Sequence, residues 1–111
     1  MKKLIWTLCM AAISFSSFSQ PVEFPLWDGA IPNNKPGNHT EKQRVEADGT
    51  VSHVSEVQEP TLTVYAPQGV ANKRVPAIVI CPGGGYTNLS IKKEGHDVAK
   101  FLASQGVVGI V

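Results

Sequence analysis

The stretch that most constrains this chain runs from residue 75 to 111, where two apolar runs bracket a glycine cluster and an amphipathic segment. Val75-Pro76-Ala77-Ile78-Val79-Ile80-Cys81 is continuously apolar after its proline, the mark of a strand covered on both faces at the centre of a sheet. From Glu94 to Gln105, Val98, Phe101 and Leu102 recur at helical spacing, with Asp97, Lys100 and Ser104 largely elsewhere. Gly106 stands where helices commonly end. Val107-Val108-Gly109-Ile110-Val111 is a second apolar run. Strand, loop, helix and strand in that order predict a βαβ unit with a parallel strand pair.

Upstream, residues 51–57 alternate in the manner of a half-buried strand, and Ala47-Asp48-Gly49-Thr50 supplies a turn before it. Thr61-Leu62-Thr63-Val64-Tyr65 is β-branched and aromatic between Pro60 and Pro67, and reads as another strand. The polar link from Gln68 to Arg74 is short enough for an antiparallel connection to the strand that follows. The expected class is α/β, with early antiparallel strands leading into the βαβ unit from Val45 onward.

Residues 20–44 hold Pro21, Pro25, Pro32, Pro36, Gly29, Gly37 and Asn33-Asn34, a density of breakers that predicts an extended leader without regular elements. Phe24, Leu26 and Trp27 are its apolar exceptions and are expected to bury against the outside of the following domain, Trp27 having sugar stacking as its sharper alternative. Residues 1–19 have the pattern of a secretory signal peptide of bacterial type: Lys2-Lys3, an apolar run from Leu4 to Phe15, then Ser17 and Ser19 at the small positions before a cut between Ser19 and Gln20. The run is too short for a stable bilayer span, so no membrane anchor is expected after cleavage. Leu8 ahead of Cys9 argues against lipid attachment. The expected location is periplasmic or extracellular. Asn38-His39-Thr40 and Asn88-Leu89-Ser90 are read as chance matches to the glycosylation sequon.

Composition narrows function further. Ten Lys and Arg face nine Asp and Glu, a net charge of +1, which provides no footprint for nucleic acid. Cleavage would remove two of those lysines and leave the balance near neutral. It would also remove Cys9, leaving Cys81 without a disulfide partner. His39, His53 and His96 have no zinc-site spacing, and neither a metal nor a cofactor is expected.

The chemistry concentrates in Cys81-Pro82-Gly83-Gly84-Gly85-Tyr86, between the apolar strand and the helix. In open α/β sheets ligands collect beyond the carboxyl ends of strands. A run without Cβ atoms lets backbone N–H groups converge on negative charge. A phosphate cradle needs a Walker lysine or the Gly-x-Gly-x-x-Gly spacing, and neither occurs; Lys92 is the first lysine after the glycines. An oxyanion hole formed by the Gly84 and Gly85 N–H groups fits better, with a tight structural turn as the plain alternative.

On these residues the chain resembles the α/β-hydrolases of the esterase and lipase type, in particular secreted bacterial carbohydrate esterases related to acetylxylan esterases. The resemblance rests on Ala77 to Tyr86, on Glu94-Gly95 leading into Val98-Ala99 and Phe101-Leu102, and on Gly106-Val107. Pro25-Leu26-Trp27-Asp28-Gly29-Ala30 and Thr61 to Pro67 also look like that family's opening segment and early strand. It implies a serine carboxyl-ester hydrolase acting on an acetylated polysaccharide or oligosaccharide such as acetylxylan. It also implies Gly84 and Gly85 as oxyanion donors, Pro82 and Gly83 as loop supports and Tyr86 at the border of the acyl pocket. Pro82 replaces the family's usual His before the glycines.

The family's Gly-x-Ser-x-Gly elbow is absent from these 111 residues. Ser90 and Ser104 lack flanking glycines, and Ser90 reads as a helix-start residue. His96 would precede any nucleophile, the reverse of the family's order, and is expected to be structural. The chain is therefore expected to be the N-terminal part of a longer hydrolase, incomplete as a sheet and inactive as it stands, with nucleophile, acid and base beyond Val111. Two other classes stay open: a secreted peptidase of the prolyl oligopeptidase type, for whose propeller the leader is too short, and a non-catalytic exported binding module.

Overall fold

The computed structural model describes residues 19–35 and 37–111. The proposed signal segment, apart from Ser19, lies outside the described residues, as does Pro36. Among the described residues, six strands and one helical segment make a small mixed α/β domain. Strands β1 (Val22–Pro25), β4 (Thr61–Tyr65), β5 (Ala77–Val79) and β6 (Val108–Ile110) form one sheet in the order β1-β4-β6-β5. Strands β2 (Lys42–Val45) and β3 (Val51–Ser55) form a separate hairpin.

The βαβ expectation holds. Strand β5 pairs parallel with β6, in the register Ala77 to Val108 through Val79 to Ile110, and the helix lies between them in sequence. Two placements differ from the sequence reading. Strand β5 is at an edge of the sheet, not its centre, with Ile78 46% and Val79 67% exposed. Nor is β5 the neighbour of β4, because β6 runs between them, antiparallel to β4 and parallel to β5. The crossover through the helix returns the chain to this slot, so the 68–74 link joins strands that are antiparallel in direction but not hydrogen-bonded.

Strand β1 and the first three residues of β2 (Lys42–Val45) fall within residues 20–44, the segment whose breakers predict no regular element. Strand β1 pairs only with β4, in the register Val22 to Val64 through Pro25 to Thr61, so Pro25 sits at the end of an edge strand. An edge tolerates a residue with no N–H to donate. Phe24, Leu26 and Trp27 are not buried as expected; they remain 49%, 41% and 45% exposed. The leader adds to the sheet through its backbone rather than through these side chains. The turn read at Ala47–Thr50 is present: the Asp48 carboxylate accepts from the Thr50 N–H at 3.0 Å and hydroxyl at 2.6 Å, and Gly49 takes φ +82°.

Helical structure begins at Ile91, three residues before the predicted start. Ile91–His96 is wound as a π-helix and continues as α1 (Asp97–Ser104). Ser90 stands at the N-cap position, as expected, but its side chain caps nothing. The buried face is not the one that the apolar spacing marks. Val98 and Phe101 are exposed, whereas Gly95 and Ala99 are buried and Ala103 packs beside them. Spaced four apart, these three small residues share one face and bring the helix close to the sheet. A Cβ on Gly95 would fall 2.8 Å from Val111 Cγ1 and 3.0 Å from Pro82 Cγ. Tyr65, Ala99 and Val111 form the buried apolar core, with Ile80, Ile91 and Ala103 partly buried around it.

Candidate oxyanion loop

The glycine loop leaves the carboxyl end of β5 and enters the π-helical turn. Its conformation is held from both sides. The Gly84 carbonyl accepts from the Thr87 N–H at 3.2 Å, the Thr87 hydroxyl at 3.0 Å and the Asn88 N–H at 3.4 Å, closing a tight turn. Leu89 then exchanges two backbone hydrogen bonds with Val54 of β3, at 2.7 and 3.1 Å, which clips the loop to the β2–β3 hairpin.

Within that turn the three glycines differ. The Gly83 N–H donates to Glu94 Oε2 at 2.8 Å. Gly84 is half-buried and closely approached: a Cβ there would lie 1.7 Å from the Asn88 carbonyl oxygen. Gly85 adopts φ +62°, in the left-handed region, with nothing within 4 Å of a Cβ position. The Gly84 and Gly85 N–H groups, the two donors named from the sequence, have no hydrogen-bond acceptor among the described residues. Two adjacent N–H groups without an acceptor, at a strand's carboxyl end, can donate to an anionic oxygen without breaking a hydrogen bond in the loop.

The Pro82 ring lies close to Gly95, its Cγ 3.0 Å from where a Cβ on that glycine would stand. Tyr86 is fully exposed, and it takes φ +61° although it carries a side chain. The turn aims it into solvent. An open cleft of about 610 Å³ lies between the hairpin and the sheet, walled by Val54, Leu62, Ile80, Leu89, Ile91 and Val111 among others. It reaches Cys81 and Pro82 but does not include Gly83, Gly84, Gly85 or Tyr86 in its walls.

His96 is engaged elsewhere. Its Nδ1 and the Tyr65 hydroxyl share a 2.9 Å hydrogen bond, with ring centroids 5.8 Å apart and tilted. Burial, reinforced by Lys100, holds the imidazole below its ordinary pKa, and burial, with Asp97 and Glu23, pushes the Tyr65 phenol up. This pairing agrees with the structural role expected of His96. Cys81 is exposed and free.

Sequence reasoning located the loop but not the partners that shape it. Glu94 and the Val54–Leu89 clip carry no local signal, because each joins segments well apart in the chain. Comparison of the chain with protein-family models, with curated proteins and with solved structures gives no match.

Proposed function

We propose that the chain is the N-terminal portion of an exported serine carboxyl-ester hydrolase of the α/β-hydrolase type, deacetylating plant polysaccharide such as acetylxylan, with Gly84 and Gly85 as its oxyanion donors. The observation that carries this reading is the pair of consecutive amides, on a loop joining a parallel strand to a helix, that find no acceptor among the described residues. In serine hydrolases of this type one oxyanion donor comes from such a strand–helix loop.

In the proposed reaction a serine hydroxyl, deprotonated by a histidine, attacks the acetyl carbonyl. The C=O π electrons move onto oxygen, and the Gly84 and Gly85 N–H groups donate to that oxyanion. Collapse expels the sugar alkoxide, which takes the proton from the histidine, and water hydrolyses the acyl-enzyme by the same steps. The donors contribute because they are already oriented when charge develops, so no solvent need reorganise. Serine, histidine and acid are assigned to residues following Val111. Exposure of Ile78 and Val79 on β5 supports this extension, since a wider sheet with helices over both faces would cover them.

Amide NMR of the ¹⁵N-labelled 111-residue chain tests the assignment. Titration with methylphosphonate, a tetrahedral anion, should shift the Gly84 and Gly85 resonances saturably. Absence of any response at both amides would defeat the reading. The same chain should hydrolyse p-nitrophenyl acetate no faster than buffer, and a longer product containing Gly-x-Ser-x-Gly should turn it over.

A further inference from the structure

We infer that Glu94 is the positioning residue of the glycine loop: its carboxylate occupies the first amide of the glycine run and thereby directs the loop's remaining donors, Gly84 and Gly85, outward. What those two amides then bind rests on the oxyanion reading above; the contact itself does not.

Three hydrogen bonds close a circuit. The Gly83 N–H donates to Glu94 Oε2 at 2.8 Å, the Ser90 N–H donates to the Gly83 carbonyl at 2.8 Å, and the Glu94 N–H donates to the Ser90 carbonyl at 3.0 Å. The beginning of the loop is thus tied to the beginning of the helix through both backbone and side chain. The loop's start is held to the helix's start by the Gly83 carbonyl as well as by its N–H. A Cβ on Gly83 would lie 2.7 Å from Glu94 Oε2, so the carboxylate would have to shift to make room for one. With its first N–H taken by an internal anion, the loop offers an incoming oxygen two donors rather than three.

Hydrogen exchange at single amides tests this in the 111-residue chain. In Glu94→Ala the Gly83 amide should exchange roughly tenfold faster, the loss expected of one charge-assisted hydrogen bond, while the Gly109 amide inside β6 keeps its protection. Glu94→Gln, which still presents an oxygen acceptor, should restore most of it. Unchanged Gly83 exchange in Glu94→Ala, or failure of Glu94→Gln to restore it, overturns the assignment. Should Glu94→Ala lose Gly109 protection as well, and so fail to fold, the wild-type chain decides. Its Gly83 amide must then exchange roughly tenfold more slowly than the acceptor-free Gly85 amide, and equal exchange at the two overturns the assignment.

Methylphosphonate separates the two readings. A wild-type chain with Gly83 protected but Gly84 and Gly85 unresponsive would defeat the oxyanion reading and leave Glu94 as the loop's anchor. Recruitment of Gly83 into the anion response in Glu94→Ala would support both.

Discussion

Gly109 of β6 and Ala99 of α1 approach so closely that a Cβ on the glycine would fall 2.7 Å from the alanine's Cα and 3.0 Å from its carbonyl oxygen. Ala99 has no solvent exposure, so this contact sets the height of the helix above the sheet. Gly109→Ala should therefore lower stability by about 1–3 kcal/mol, the usual cost of overfilling a tight core. Phe101→Ser, at a position 63% exposed, should change it by less than about 0.5 kcal/mol. Urea unfolding followed by circular dichroism measures both, and a larger loss in the phenylalanine variant would contradict this account of the interface.

That contrast also shows where the chain was readable. Long apolar runs and glycine punctuation marked the β5–loop–helix–β6 order correctly, because each is a local signal with a distinct period. Spacing placed the helix but mistook its inner face. It weighted Val98 and Phe101 by size, whereas the helix–sheet distance is set by Gly95, Ala99 and Gly109, whose contribution is their smallness. Strand β1 was hidden by Pro21 and Pro25, since tolerance of proline depends on being an edge, which is a property of the sheet and not of the segment. At the loop the sequence offered Gly84 and Gly85 as candidate donors, but Glu94 lies eleven residues from Gly83, and only the fold brings its carboxylate there.

The Tyr65–His96 pair makes stability depend on pH at both ends. Burial lowers the pKa of His96 in the folded chain below its ordinary 6.5, so the unfolded chain binds the proton more readily. Stability should be intact above about pH 6.5 and fall as pH drops from there through the depressed folded value. Tyr65 has the opposite shift, and its contribution should be intact below about pH 10 and fall as pH rises beyond it. Urea midpoints at pH 5.5 and 7.5 should differ in the wild type and converge in His96→Asn. An equal acid loss in that variant would assign the effect to other groups.

Gly84 and Gly85 should respond differently to alanine. At Gly84 the new Cβ would meet the Asn88 carbonyl oxygen at 1.7 Å, a backbone clash that no rotamer relieves. The 87–89 segment must then move, and the Leu89–Val54 hydrogen bonds should be disturbed with it. At Gly85 there is open space, and the cost is the left-handed backbone alone, about 1–2 kcal/mol. Amide spectra distinguish the outcomes: large shifts at Val54 and Leu89 in Gly84→Ala, small ones in Gly85→Ala. Equal disturbance of the hairpin by both would mean that Gly84's close approach to Asn88 does not govern the clip.

Tyr86 holds the same left-handed conformation as Gly85, at φ +61°, while fully exposed. Its ring therefore makes no packing contact to offset the backbone cost, and strain of this kind tends to survive where a side chain serves a function. Tyr86→Gly should remove that strain, and the lost chain entropy of glycine, about 0.5–1 kcal/mol, should offset much of the gain. Stability should thus stay within about 1 kcal/mol of wild type. If the ring borders an ester substrate, the same variant in a longer, active product should raise KM for aryl or sugar acetates with little change in kcat, because a contact made equally before and during reaction affects binding alone. A fall in kcat at constant KM would instead place Tyr86 among the groups that hold the donors in register.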